Sequence, residues 1–362
     1  MTIFRFLLFL SITSLCSPSL AEKRFFKPYI NSDNFLYSEP VSLITIKKNW
    51  NGKYYAGGKK QIGKFHTEIG LRSEKWSISG IYREDRYLNF TTDTADLYHG
   101  IENNRSIDRT TPYTLGIDAY QFKGKGLQVK RSVTFSKYLN SNIGISLFKA
   151  SNLLDGNITG HAVTSSDNKY DFDFEIDSNY SKDQLFDRKV KSKVSGTGVT
   201  LDADLNWKPT KELSISLAAK DIIGIIRWKN VPNTSAEVNS RNVIVNETGF
   251  TEVNPVLNGI ESYKSHYTQS LKPSMEAKLN YDFRQSPYEV NANFKHFEGL
   301  DFFGVGLSKQ SAFGKAQFNY WPRVKTAELK LKHKNIGFSL GLDDLNLKNT
   351  RSAWLSISYQ MN

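Results

Sequence analysis

The sequence predicts an all-β fold, an antiparallel transmembrane β-barrel of about 14–16 strands (about 12 at the fewest). Three observations predict it. Apolar and polar residues alternate almost without a break from Met275 to Asn362. Each run is about ten residues long, the length at which a tilted strand crosses a membrane. Residues 1–21 read as an export signal, and no later stretch supplies the roughly twenty apolar residues of a membrane helix.

The closing series shows the pattern most clearly. Leu279, Tyr281 and Phe283 alternate with Lys278, Asn280 and Asp282, and Val290, Ala292 and Phe294 with Glu289, Asn291 and Lys295. Ala316, Phe318 and Tyr320 stand against Lys315, Gln317 and Asn319, and Ala327, Leu329 and Leu331 against Glu328, Lys330 and Lys332. The chain ends on Leu355, Ile357, Tyr359 and Met361. A period of two puts each set on its own face of a strand.

Arg5, the apolar run 6–12 and the small residues Ser19 and Ala21 place signal cleavage after Ala21. Leu15 precedes the single cysteine, Cys16, where a lipid-anchored signal needs a small residue, and the cleaved chain would hold no thiol. Residues 22–40 read as a periplasmic lead-in and 41–362 as the barrel, with its first strand at 41–48. A glycine-bearing loop follows at 50–60, then strands at 65–71 and 76–82 around the turn Ser73-Glu74-Lys75. Residues 85–112 are polar and read as a long loop. The next strands fall at 113–119 and 127–135, joined by a turn at Lys123-Gly124-Lys125-Gly126. Strands at 143–147, 170–176, 199–207 and 213–228 precede a second long loop at 229–265.

The strand at 170–176 has an acidic face of Asp171, Asp173, Glu175 and Asp177, with Arg188, Lys189, Lys191 and Lys193 close behind. Cross-strand ion pairing explains that face, and alternate carboxylates would also offer oxygen ligands to Ca²⁺. Polar positions of the inward face give the lumen candidates Asp202, Asp204, Lys278, Glu289, Lys295, Lys315, Glu328, Lys330 and Lys332. In the closing strands the basic and acidic inward residues nearly balance, which suits either a pore for small polar solutes or an interior bridged by ion pairs. Trp76, Trp207, Trp321 and Tyr359 sit near strand ends and are expected in an interfacial girdle.

The net charge is +12 and aromatic residues make up 13% of the chain. The basic residues are spread along the sequence with no nucleic-acid motif, so nucleic acid is not an expected partner. They suit rims that meet an anionic membrane surface. A mean hydropathy of −0.46 does not argue against a membrane, because only every second barrel residue faces lipid.

The signal, the alternating strands and the ending Leu355-x-Ile357-x-Tyr359-x-Met361 together resemble Gram-negative outer-membrane β-barrel proteins. The stretch 221–228 (Asp-Ile-Ile-Gly-Ile-Ile-Arg-Trp) faintly resembles exported barrels related to fatty-acid transporters and conjugal-transfer proteins. The resemblance implies outer-membrane lipid and the barrel-assembly machinery as partners. That machinery reads a terminal aromatic residue, and here only Tyr359 is placed to serve.

None of the six histidines has a serine two residues later, the pair that resembles the barrel phospholipases. Asp202 with Asp204, and His66 with Glu68, share inward faces and are the nearest approach to a catalytic set. Lumen-lining polarity accounts for them, so no catalysis, cofactor or metal is expected. The expected function is a channel or transporter for small solutes. The alternatives are a non-conducting component of a secretion or surface system, and a lipid-active barrel enzyme.

Overall fold

The computed structural model describes residues 26–105, 111–166, 169–185, 187–191, 193–240, 243–245, 251–253 and 256–361. The export signal and Ala21 lie outside them. The strands are β1 (Lys27–Ser38), β2 (Lys60–Arg72), β3 (Trp76–Phe90), β4 (Tyr113–Ser136), β5 (Leu139–Ser166) and β6 (Lys169–Tyr180). Then come β7 (Ser195–Trp207), β8 (Leu213–Asn239), the small β9 (Val243–Val245) and β10 (Thr251–Val253), β11 (Val256–Ser270) and β12 (Ser274–Asp282). The chain closes with β13 (Tyr288–Phe297), β14 (Leu300–Ser311), β15 (Gly314–Trp321), β16 (Thr326–His333), β17 (Ile336–Leu342) and β18 (Ser352–Gln360).

Fourteen of these strands form a closed antiparallel ring. β1 to β5 run in sequence, β7 pairs with β5 and β8, β8 pairs with β12, and β12 to β18 return in order. The ring shuts where β18 meets β1, with Tyr29 opposite Gln360 and Tyr37 opposite Ser352. Each of the fourteen ring strands is paired on both sides, as a bilayer requires, whereas β11 pairs with β8 alone. Every connection at one end of the ring is a turn of two to five residues; the other end holds the long connections, along with the short turns after β13 and β15. The start of β1 and the end of β18 sit at the short-turn end, where the Met361 amide donates to the Pro28 carbonyl at 3.1 Å.

The outer wall is apolar. Leu127 (63% exposed), Ile145 (59%), Phe303 (65%) and Val305 (61%) point away from the ring. A water-soluble chain rarely leaves so continuous an apolar surface open; a bilayer supplies its cover.

Two strands of the wall are interrupted. β5 pairs with β7 over Leu139–Ala150 and with β6 from Leu154 onward, so β6 and β7 act as one strand broken by residues 181–194. β11 and β12 likewise share one edge of β8 around Leu271-Lys272-Pro273, where Asp221 of β8 takes a positive φ of 56°. Beyond the breaks, β4, β5, β6, β8 and β11 continue as a tall sheet at the long-loop end.

Several expectations need correction. Of the segment 22–40, expected as a lead-in, residues 27–38 form β1, a barrel strand bonded on both edges. Residues 41–48 are not a strand; they hold the short helix Leu43–Ile46, capped by the Ser42 hydroxyl. The long loop at 85–112 begins only after β3 and contains the helix Thr92–Glu102, capped by Thr91. Most of 229–265 belongs to β8 and β11, and Pro232 is tolerated there because it lies where β7 has ended and β6 has not begun. The glycines at 124 and 126 make no turn. They lie inside β4, and a Cβ on Gly126 would stand 2.1 Å from the Leu147 carbonyl oxygen.

Candidate functional site

The inward faces of the fourteen strands do not line an open tube. Strand parity turns Asp33, Phe35 and Tyr37 of β1, and His66 and Glu68 of β2, toward the axis, with Ile81, Arg83 and Asp85 of β3 beside them. An aromatic cluster fills the interior toward the long-loop end, and a charged network lies against it toward the short turns.

In the aromatic cluster Phe35 of β1 meets Phe297 of β13 and Phe302 of β14, with ring centroids 5.2 and 5.8 Å apart. Trp321 and Trp354 pack at 4.6 Å and are fully or almost fully buried. On the facing wall Phe122 and Phe148 stack at 6.1 Å, and the Arg83 guanidinium lies 4.9 Å above the Phe122 ring. Gly198 lets Phe148 lie flat on the backbone, since a Cβ there would come within 2.2 Å of the ring.

In the charged network Arg83 donates to both Asp221 oxygens at 2.7 and 2.8 Å and to Asp85 at 2.5 Å. This bidentate pair is buried, with 8% and 2% of the two side chains exposed. The Asp221 amide donates to Asp202 at 2.9 Å, and Gln128 donates to the other Asp202 oxygen at 2.9 Å. Lys130 places its ammonium 3.0 Å from both oxygens of Glu68, which also meets the His66 ring at 2.9 Å. Lys64 of β2 reaches across to the Ser274 hydroxyl of β12 at 3.1 Å.

Some of these contacts reach across the lumen, and three strands lie between β3 and β8. Five strands separate β2 from β12 around the shorter arc of the ring, and five separate β1 from β13. Eight strands already suffice to hold an interior just wide enough for its own side chains. A round ring of fourteen would keep these groups apart, so the cross-section must be flattened. Cavities of about 50 and 30 Å³ remain at the contact level, each the size of a few waters. A larger cavity of about 410 Å³ lies at the break between β6 and β7, against Leu153, Lys182 and Val194.

The lumen candidates lie on inward faces. Asp204 accepts from Asn142 at 2.5 Å. Lys295 stands 3.5 Å from Glu276 and 4.6 Å over the Trp354 ring. Lys315 pairs with Glu289 at 2.7 Å, and Lys330 with Glu328 at 3.2 Å. Glu328 also accepts from Asn319, Trp321 and Ser339. Lys278 faces inward on β12, and Lys332 lies exposed at the short-turn mouth. The residues that join the walls, Arg83, Asp221 and Lys64, were not singled out from sequence. Asp221 alone carried a signal, an acidic residue in an otherwise apolar strand.

Among the girdle candidates Trp207 (44%) and Tyr359 (37%) are exposed on the outer wall, and Trp76 is half-buried under Arg131. Trp321 is a correction. It shares parity with Lys315, Gln317 and Asn319, so it points inward, and Tyr320 takes the outer position. The acidic face of β6 also turns inward, where Asp177 and Asp173 accept from Asn233 and Asn239. Arg188 serves Asp183 and Glu261 rather than that face. Among the described residues no three His, Cys, Asp or Glu side chains are grouped to hold a metal ion.

A family model described as a family of unknown function (DUF5723) matches residues 76–344. No curated protein matches the chain. Among solved structures, the Pseudomonas putida toluene transporter TodX is 10% identical over 94% of this chain and 91% of that one, at a TM-score of 0.42. A deletion mutant described as a monoaromatic hydrocarbon channel, TodX deltaS2S3, gives 8% identity, 93% and 90% coverage and 0.44. A Pseudomonas aeruginosa FadL homologue gives 8%, 94%, 88% and 0.28. What this barrel does is therefore read from its own residues.

Proposed function

The chain belongs to the family of unknown function DUF5723, and from its barrel we propose an outer-membrane conduit for small solutes whose lumen is closed by separable polar contacts. The observation that carries this reading is the chemistry of the closure. Strands with three and five others between them around the ring are joined across the lumen by Arg83–Asp221 at 2.7 Å and Lys64–Ser274 at 3.1 Å rather than by apolar packing alone. A buried ion pair is a poor way to fix a permanent interior, because well-packed apolar residues serve as well or better. It is a suitable way to hold two walls that must part. A ring of fourteen strands encloses a water-wide lumen once those contacts separate.

Export through the segment 1–21 with cleavage after Ala21, a Gram-negative outer-membrane location and insertion by the barrel-assembly machinery through Tyr359 belong to the same proposal. A small polar or amphipathic solute would use the inward carboxylates and ammonium groups for orientation. The second reading is a non-conducting component of a surface system, and the filled interior favours it. Addition of purified, folded protein to a planar bilayer separates the two. Rare conductance steps that become frequent when Arg83 is replaced by methionine support the conduit. Silence from both proteins supports the structural component.

A further inference from the structure

The charge on the outer wall is polarised along the ring axis. The six short turns carry Lys75, Lys137, Lys208, Lys211, Arg284 and Lys334 against only Glu74 and Glu212, and Arg284 bonds Glu212 at 2.5 Å. Arg131 and Lys309 point outward at the same level, in register with Trp76 and Tyr288, the first residues of β3 and β13. All eight basic residues are exposed. At the opposite end, the described residues of the loops after β1 and β3, of the segment 181–194 between β6 and β7, and of the turns after β13, β15 and β17 hold fourteen basic residues against nine acidic.

The basic end coincides with the edge of the apolar belt and with a row of outward aromatics. Phe135, Tyr138, Trp207, Tyr281 and Tyr288 are all more than 40% exposed there. Three rings carry a cation directly: Arg131 lies 5.3 Å over Trp76, Lys137 4.7 Å over Tyr138 and Lys309 5.5 Å over Tyr288. Aromatic rings settle at headgroup depth. The cations they hold therefore stand at the level of lipid phosphates.

We propose that the short-turn rim is a binding surface for anionic phospholipid headgroups. The inference needs only the membrane-spanning ring and not the conduit, so a silent barrel would leave it standing. A basic residue near an anionic membrane surface contributes about 1 kcal/mol, roughly five-fold in affinity, before salt screening. The test is lipid retention by native mass spectrometry and fluorescence titration in mixed micelles. Phosphatidylglycerol and phosphatidylcholine are compared on the full barrel.

Wild type should retain phosphatidylglycerol in preference to phosphatidylcholine, and added salt should weaken that preference. The variant R131Q/K137Q/K208Q/K309Q should bind phosphatidylglycerol at least about ten-fold more weakly, with phosphatidylcholine unchanged. K47Q/K48Q, in the loop after β1, should match wild type. Inorganic phosphate should not compete, because the site needs acyl chains on the belt as well as charge on the rim. Equal retention of the two lipids by wild type, or full phosphatidylglycerol binding by the four-fold variant, would overturn the proposal. The salt response of wild type decides the matter even if that variant does not fold: retention of phosphatidylglycerol that salt leaves unchanged would refute an electrostatic rim.

Discussion

Asp221→Asn separates a gate from a scaffold. Asp221 accepts two hydrogen bonds from Arg83 and is 3% exposed, so its charge is desolvated and its partner is fixed. Removing one member of a buried pair costs about 3–5 kcal/mol when the other is stranded. Arg83 is not stranded, because Asp85 still accepts from it at 2.5 Å and an asparagine oxygen can accept one bond. The expected loss is therefore about 2 kcal/mol. If the pair exists only in the closed barrel, that loss raises the open-to-closed ratio about thirty-fold. Single-channel recording reads this ratio, and urea unfolding in detergent reads total stability. A double-mutant cycle with Arg83→Met isolates the pair from Asp85. An open probability within two-fold of wild type, in a variant that unfolds about 2 kcal/mol earlier, would refute the gate and leave a scaffold contact.

Three further outcomes follow from the same structure. Gly198→Val should push Phe148 out of its stack with Phe122, because the backbone position lies directly against that ring; tryptophan fluorescence and conductance should both change, and neither should in Gly80→Ala, where a Cβ meets only the Ile69 carbonyl oxygen at 3.8 Å. Ile145→Lys places a charge on the outer wall between Val129 and Leu201 and should cost about 2–4 kcal/mol near the bilayer midplane, read as the unfolding midpoint in lipid vesicles. Burial pushes the Tyr54 phenol from 10.0 up to about 12 in the loop after β1, where it stacks on His99 at 4.7 Å. A raised folded value gives stability that is complete below pH 10 and lost as pH rises toward 12, so that loop should become protease-sensitive in this window and Tyr54→Phe should abolish the transition.

How much of this was legible depends on which face each residue occupies. β12 to β18 could be read because their outer positions are apolar except near strand ends, as at His296, Asp301 and Lys309, and their inner ones mostly polar. β1 hid because its outer face carries Ser32 and Asn34. Those polar groups are satisfied sideways, Ser32 by the Thr67 hydroxyl at 2.9 Å and Asn34 by the Leu355 carbonyl at 3.3 Å. Such a strand does not alternate in hydropathy and reads as irregular. Glycines 124 and 126 imitate a turn, yet they serve close packing against Phe148 of the next strand. Trp321 lies near a strand end, as a girdle residue would, but its parity with Lys315, Gln317 and Asn319 turns it inward. The meeting of β2 with β12 had no local signal at all, since a period of two assigns a face but does not say which opposite wall that face will touch.

That last gap explains why an interior of this kind can evolve. In a soluble barrel the inside must be apolar, because burial there is the main favourable contribution to folding. Here the outer belt is in lipid and the backbone pairs around the ring, so stability does not depend on a greasy centre. The centre is free to hold Arg83, Asp221, Lys130 and Glu68, provided each is paired. Paired charges have a definite closed geometry and lose little when water replaces the partner, whereas an apolar core pays heavily for wetting. A flattened ring with ionic contacts across its short axis therefore has two states separated by a few bonds, and the Arg83–Asp221 pair is the contact whose removal should change their ratio most.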